Sequence, residues 1–271
     1  MLIELWPLLV LLLATGLLAG LIAGLLGIGG GIVLVPVLDF ALMRAGFPAA
    51  WTMHVAVATS LATIIPTAIA SSRAHDARGG IDWSLAKAWA PGMLTGGLLG
   101  ALFAATISGQ WLATLFGITA GFVAIKMALP FDHWRLRDNV PRGYLGNFIA
   151  CVIGALSAMM GIGGGTLSVP VMTLTGGAIH QAVGTAAFFG LLLAIPGTIG
   201  YLVATPAADL PGATIGLVSF AALLIVAPTS VLMAPIGARL AHGLRQRRLS
   251  QIFAVFLCLV AARMIYRSFA A

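Results

Sequence analysis

The chain is predicted to be an all-α polytopic membrane protein made of two inverted repeats. Each repeat is a glycine-broken helical hairpin followed by three transmembrane helices. Three observations predict this. First, 61% of the 271 residues are apolar and 8% charged, with a mean hydropathy of +1.09. Soluble domains carry about 25% charged residues, so this composition could not cover a water-facing surface. Second, apolar runs of bilayer length recur along the whole chain. Third, one glycine-rich pentapeptide occurs at corresponding places in the two halves. A soluble enzyme, a nucleic-acid binder and a disordered regulator are excluded.

A membrane-crossing helix needs about 20 apolar residues. The first run, 5–26, is too long and too poor in flanking Lys or Arg for a cleaved signal peptide. Gly27-Ile28-Gly29-Gly30-Gly31 follows, then a short apolar run, 32–43. Runs 52–71, 84–106 and 110–129 complete the first half. The second half opens with 143–160, then Gly161-Ile162-Gly163-Gly164-Gly165 and a second short run, 166–176. Runs 180–204, 212–238 and 249–269 finish the chain. The 34 glycines and 13 prolines suit membrane helices, which tolerate both better than soluble ones. Cys151 and Cys258 lie inside apolar runs and are expected to be packing residues.

The likeness between halves extends beyond the pentapeptide. At an offset of 134, Gly20 matches Gly154 and Val35-Pro36-Val37 matches Val169-Pro170-Val171. At 126, Val57 and Thr59 match Val183 and Thr185. At 137, Ala90-Pro91 matches Ala227-Pro228, Gly100 matches Gly237, Phe116 matches Phe253, and Lys126-Met127 parallels Arg263-Met264. An ordered series of this kind indicates tandem duplication, with repeats at 1–140 and 141–271 of a single membrane domain.

Charge sets the relation between the repeats. If each short run turns back after its glycines, nine arginines (73, 78, 135, 137, 142, 239, 245, 247 and 248) fall on one side and only Arg44 and Arg267 on the other. If the short runs do not reverse the chain, the same residues divide six against five. Cytoplasmic loops attract Lys and Arg, which favours the inverted arrangement. Whether the short arms cross or re-enter stays open.

Irregular backbone cannot face lipid, where each unpaired polar group costs several kcal/mol. Two glycine breaks are therefore expected to pack on protein or line a cavity. The arm after each break starts with free amides at the positive end of its dipole, which suits an anion. Ile32 and Thr166 occupy those first turns. Paired interruptions in the two halves point to a transporter's binding site. The competing reading is close helix packing, which is expected for Gly20, Gly24, Gly96, Gly100 and Gly237. For the pentapeptides, three adjacent glycines favour a solute site. The candidate set is Gly27, Gly29, Gly30, Gly31, Ile32, Thr59, Ser60, Gly161, Gly163, Gly164, Gly165, Thr166 and Thr185.

These residues carry a resemblance. GIGGG followed by an apolar stretch with Val-Pro, in both halves, resembles the sulfite exporter TauE/SafE family, also called 4-toluene sulfonate uptake permeases. The stretch from His54 to Ser60, Gly184-Thr185, the Gly80-Ile81-Asp82-Trp83 step, and the run from Ala234 to Ala241 leading to Phe253 also fit. The resemblance covers nearly the whole chain. It implies transport of small sulfur-containing anions such as sulfite, sulfonates or sulfoacetate, in a bacterial inner membrane. It leaves direction open. Ala186 stands where the first half has Ser60, so the hydroxyl pair is incomplete there.

Other polar residues have plainer readings beside functional ones. Thr59, Ser60, Thr166, Ser168 and Thr185 could bind solute or bond to a carbonyl one turn back. His54 and His180 are expected near the surface, with proton coupling as the alternative. Asp39 is expected at an interface, with cation coupling as the alternative. Lys126 and Arg263 are expected to snorkel. Trp83, Trp89, Trp111 and Trp134 are expected to form an aromatic belt. No phosphate loop, zinc-protease motif or nucleophile elbow occurs. No cofactor, metal site or catalytic residue is expected, and an intramembrane enzyme would need a facing acid and base. The leading function is a secondary carrier, passive or coupled to H+ or Na+. The alternative is an anion channel of the same architecture.

Overall fold

The computed structural model describes residues 2–27, 29–128, 139–206, 209–241 and 246–270. Ile28, Trp134, Arg135, Arg137 and Arg245 lie outside the described residues, as do the side chains of Lys126, Arg247, Arg248 and Phe253. The elements run in order α1 (Leu2–Leu26), α2 (Gly31–Arg44), α3 (Ala49–Asp76), α4 (Trp83–Ala104), α5 (Gly109–Ala128), α6 (Gly143–Met159), α7 (Gly165–Leu174) and α8 (Ile179–Val203). A two-stranded ribbon, β1 (Thr214–Ile215) and β2 (Val218–Ser219), precedes α9 (Phe220–Leu240) and α10 (Gln246–Ala270). Helices at Trp6–Leu26, Ala49–Asp76, Ile179–Val203 and Phe220–Leu240 are long and apolar enough to cross a membrane. The protein is a multi-pass, all-α membrane protein.

The expected run 212–238 is shorter as a helix. Gly216 takes a positive φ of 55°, which closes the ribbon and lets the backbone pack under Tyr201. Leu217 N then donates to Tyr201 O at 3.0 Å. Ser219 caps α9 by accepting from Ala222 N, as Asp82 caps α4 by accepting from Leu85 N at 3.0 Å.

Helix packing follows glycines spaced by four. Gly16, Gly20 and Gly24 present a face of α1 without Cβ atoms to Val226, Ser230 and Ala234 of α9. Gly92, Gly96 and Gly100 do the same from α4 to Asn147, Cys151 and Ala155 of α6. Such faces let backbones approach closely without a hydrophobic drive between helices. Gly237 likewise sits against Leu21. Each hairpin's long arm thus pairs with a helix from the other half of the chain.

α3 is the central helix, with Val55, Ala56, Val57, Ala58, Thr59, Ser60 and Leu61 all without solvent exposure. It packs against α8 with opposite polarity. Leu61 lies beside Gly197, Ile64 beside Gly190 and His75 beside Gly184. The outward faces of α1, α4, α5, α9 and α10 show Leu17, Leu18, Leu99, Phe122, Leu224, Leu232 and Leu259. Such a belt suits contact with acyl chains.

Candidate functional site

The two glycine breaks meet. A Cβ on Gly29 would stand 2.8 Å from Gly163 Cα, and one on Gly31 would strike the Gly161 carbonyl oxygen. Gly27 packs on Val183 and Gly161 on Val57. Ile64 and Gly190, which correspond at the 126 offset, touch beside this junction. The breaks therefore sit against α3 between Val57 and Ile64 and against α8 between Val183 and Leu193.

Their identical sequences hold different backbones. In the first break Gly27, Gly29 and Gly30 all have positive φ (66°, 73° and 72°). In the second only Gly161 does (65°), while Gly164 is right-handed at φ −51°. Positive φ is what glycine supplies at low cost. Gly30 also lies against the carbonyl of Ala19. The three adjacent glycines of the first break thus each meet a different backbone neighbour. Each approach leaves no room for a Cβ.

The first turn of α2 is closed by the amides of Val33 and Leu34 donating to Gly30 O at 3.0 and 3.1 Å. In α7, Thr166 N donates to Gly163 O at 3.3 Å and Ser168 N to Gly164 O at 2.9 Å. Ile32 is fully buried in the core.

Three of the candidate hydroxyls are held by backbone. Ser60 Oγ donates to Gly161 O at 2.7 Å, tying α3 to the second break. Thr59 Oγ1 accepts from Ser219 N at 3.0 Å, and Thr185 Oγ1 accepts from Asp82 N at 2.9 Å. These two corresponding threonines thus hold the caps of α9 and α4. Thr166 differs. Its hydroxyl and that of Ser168 are buried with no hydrogen-bond partner among the described residues. Ser157, Ser71 and Thr198 carry further unpartnered buried hydroxyls. Leaving such a group unsatisfied costs about 1–3 kcal/mol.

The structure gives the histidines and the aspartate defined surroundings. His54 is 3% exposed, and its Nε2 pairs with Ile107 O at 2.9 Å in the α4–α5 turn. Asp39 is fully buried and ion-paired to Arg267, whose Nη2 donates to Thr52 Oγ1 at 2.6 Å. His180 is exposed. Trp83 and Trp111 are exposed, but Trp89 is buried, stacked 5.5 Å from Phe189 and donating to Pro141 O at 2.9 Å. Sequence reasoning missed a corresponding pair. His75 Nε2 meets Gly24 O at 3.0 Å and Tyr201 OH donates to Ala158 O at 3.4 Å. Their offset of 126, shared with Thr59 and Thr185, was the available signal.

The family model of the sulfite exporter TauE/SafE matches residues 12–264. The chain belongs to that family. A probable membrane transporter protein of Haemophilus influenzae is 34% identical over 262 residues, covering 95% of this chain and 98% of the relative. The probable membrane transporter protein YunE of Bacillus subtilis is 26% identical, covering 95% and 97%. One from Methanocaldococcus jannaschii is 29% identical, covering 89% and 90%. No solved structure matches the chain. As a family member it is a membrane transporter.

Proposed function

We propose that this transporter is a secondary carrier of small sulfur-containing anions, of sulfite, organosulfonate or sulfoacetate type, in a bacterial inner membrane. The anion binds at the junction of the two glycine breaks, within inverted repeats spanning 1–140 and 141–271. The observation that carries this is the buried, unpartnered hydroxyl of Thr166 on the first turn of α7, directly after a break that abuts its counterpart. A donor beside a helix N-terminus complements an oxyanion. Solute reaches the junction only if the close-packed breaks part. Inversion is supported by the opposite polarity of α3 and α8, and the repeat by cap contacts whose threonines correspond at an offset of 126 and whose cap residues correspond at 137.

Purified protein in proteoliposomes tests the carrier. Saturable flux with counterflow is expected for sulfite, thiosulfate, sulfoacetate or taurine, tried with and without Na+. Unsaturating, ohmic current would establish the channel instead. For inversion, cysteines replacing Arg78 and Asp209, both exposed, should react with an impermeant maleimide from opposite faces. Labelling from one face overturns it.

A further inference from the structure

At the N-terminal end of α3 the structure gathers positive charge. Arg267 of α10 is paired with buried Asp39 near the end of α2 and reaches Thr52 of α3. The next residue, Phe40, carries two more guanidinium groups on its ring, Arg44 at 5.1 Å and Arg263 at 4.9 Å from the centroid. Three cations and one carboxylate therefore share this end, with Arg267 on Asp39 and with Arg44 and Arg263 on Phe40. The other described arginines with polar contacts, Arg78 and Arg142, lie past the C-terminal end of α3. Its 28 residues put the two ends about 40 Å apart.

Such a gathering is not a routine anchor. The charge balance places Arg44 and Arg267 on the face that Lys and Arg ordinarily avoid. A ring–guanidinium contact at an exposed site contributes about 0.5–1 kcal/mol, which does little against mutual repulsion of neighbouring cations. Arg44 and Arg263 are exposed, and the Arg267 side chain keeps 18% exposure although Asp39 has none. The guanidinium planes suit oxyanions, which accept two parallel N–H bonds.

We infer that the α2 end carries a second anion site, in which Arg44, Arg263 and Arg267 capture a small oxyanion and Asp39 is the internal counter-ion that it displaces from Arg267. This rests on the anion-carrier reading and adds to it a capture site at the α2 end. Charged sites of this kind raise local substrate concentration and encounter rate tenfold or more, and salt suppresses the effect.

Equilibrium binding of radiolabelled sulfite to the purified, detergent-solubilised chain tests it at low and high salt. Wild type is expected to bind a salt-sensitive equivalent beside a salt-resistant one. The exposed double variant Arg44→Gln/Arg263→Gln should lose the salt-sensitive equivalent, and half-saturation of flux should rise about tenfold at low salt with an unchanged maximal rate. Thr166→Val/Ser168→Ala should lose the salt-resistant equivalent alone. Asp39→Asn should tighten the salt-sensitive binding, because the competitor is gone. An arginine double variant that binds as wild type overturns the capture site. A hydroxyl double variant that binds as wild type overturns the junction site instead. Weaker binding in Asp39→Asn that still elutes as a single folded peak overturns the competitor role.

Discussion

Thr166 and Thr185 are alike in type and burial, yet their substitution has opposite consequences. Thr185 Oγ1 accepts the Asp82 amide, so Thr185→Val strands a buried donor and should cost about 1–3 kcal/mol. A lower unfolding temperature in detergent checks this. Thr166 has no partner, so Thr166→Val removes an unsatisfied group while keeping the shape. Thermal stability should hold or rise while sulfite binding falls. A drop in both would show that the hydroxyl is structural. The sequence placed both threonines at the site because spacing shows where a hydroxyl sits along a helix. It does not show which distant amide takes it, and Ser219 and Asp82 lie 160 and 103 residues from their threonines. The partner of buried Asp39 was not legible for a similar reason, since it sits at the far end of the chain.

The breaks behave as elements rather than as five interchangeable glycines. Gly29→Ala puts a Cβ on a residue with φ 73° and 2.8 Å from Gly163 Cα. Left-handed strain and overpacking together should cost at least ~2 kcal/mol, read as loss of the folded peak on size exclusion. Gly164→Ala keeps a right-handed φ of −51°, and its closest neighbour, at 3.0 Å, is the flexible tip of Leu193. That variant should fold normally. Identical pentapeptides gave identical expectations. Their difference comes from what each rests on, which the local sequence does not contain. The helices themselves were legible within about five residues except at the start of α9, because bilayer-length apolar runs leave little choice of secondary structure.

The whole molecule is interlocked, since α1 pairs with α9 and α6 with α4. Residues 1–140 or 141–271 expressed alone should fail to give a monodisperse protein, because the glycine faces of α1 and α4 lack their partners. Co-expressed, the halves should copurify. Halves that are each stable alone would contradict the cross-paired packing. Repeat matching in the sequence predicts two copies. It could not show that each copy completes the other, because both arrangements have the same hydropathy profile.

One stretch of five amino acids holds two shapes within a single chain. Its intrinsic conformational preferences are the same in both copies, so they drop out of any free-energy difference created by trading the shapes. What biases the trade is the unequal company of the copies, including Ile64 facing Gly190. A bulky residue opposed to a bare one is thus a thermodynamic weight that distinguishes the surroundings of the two copies.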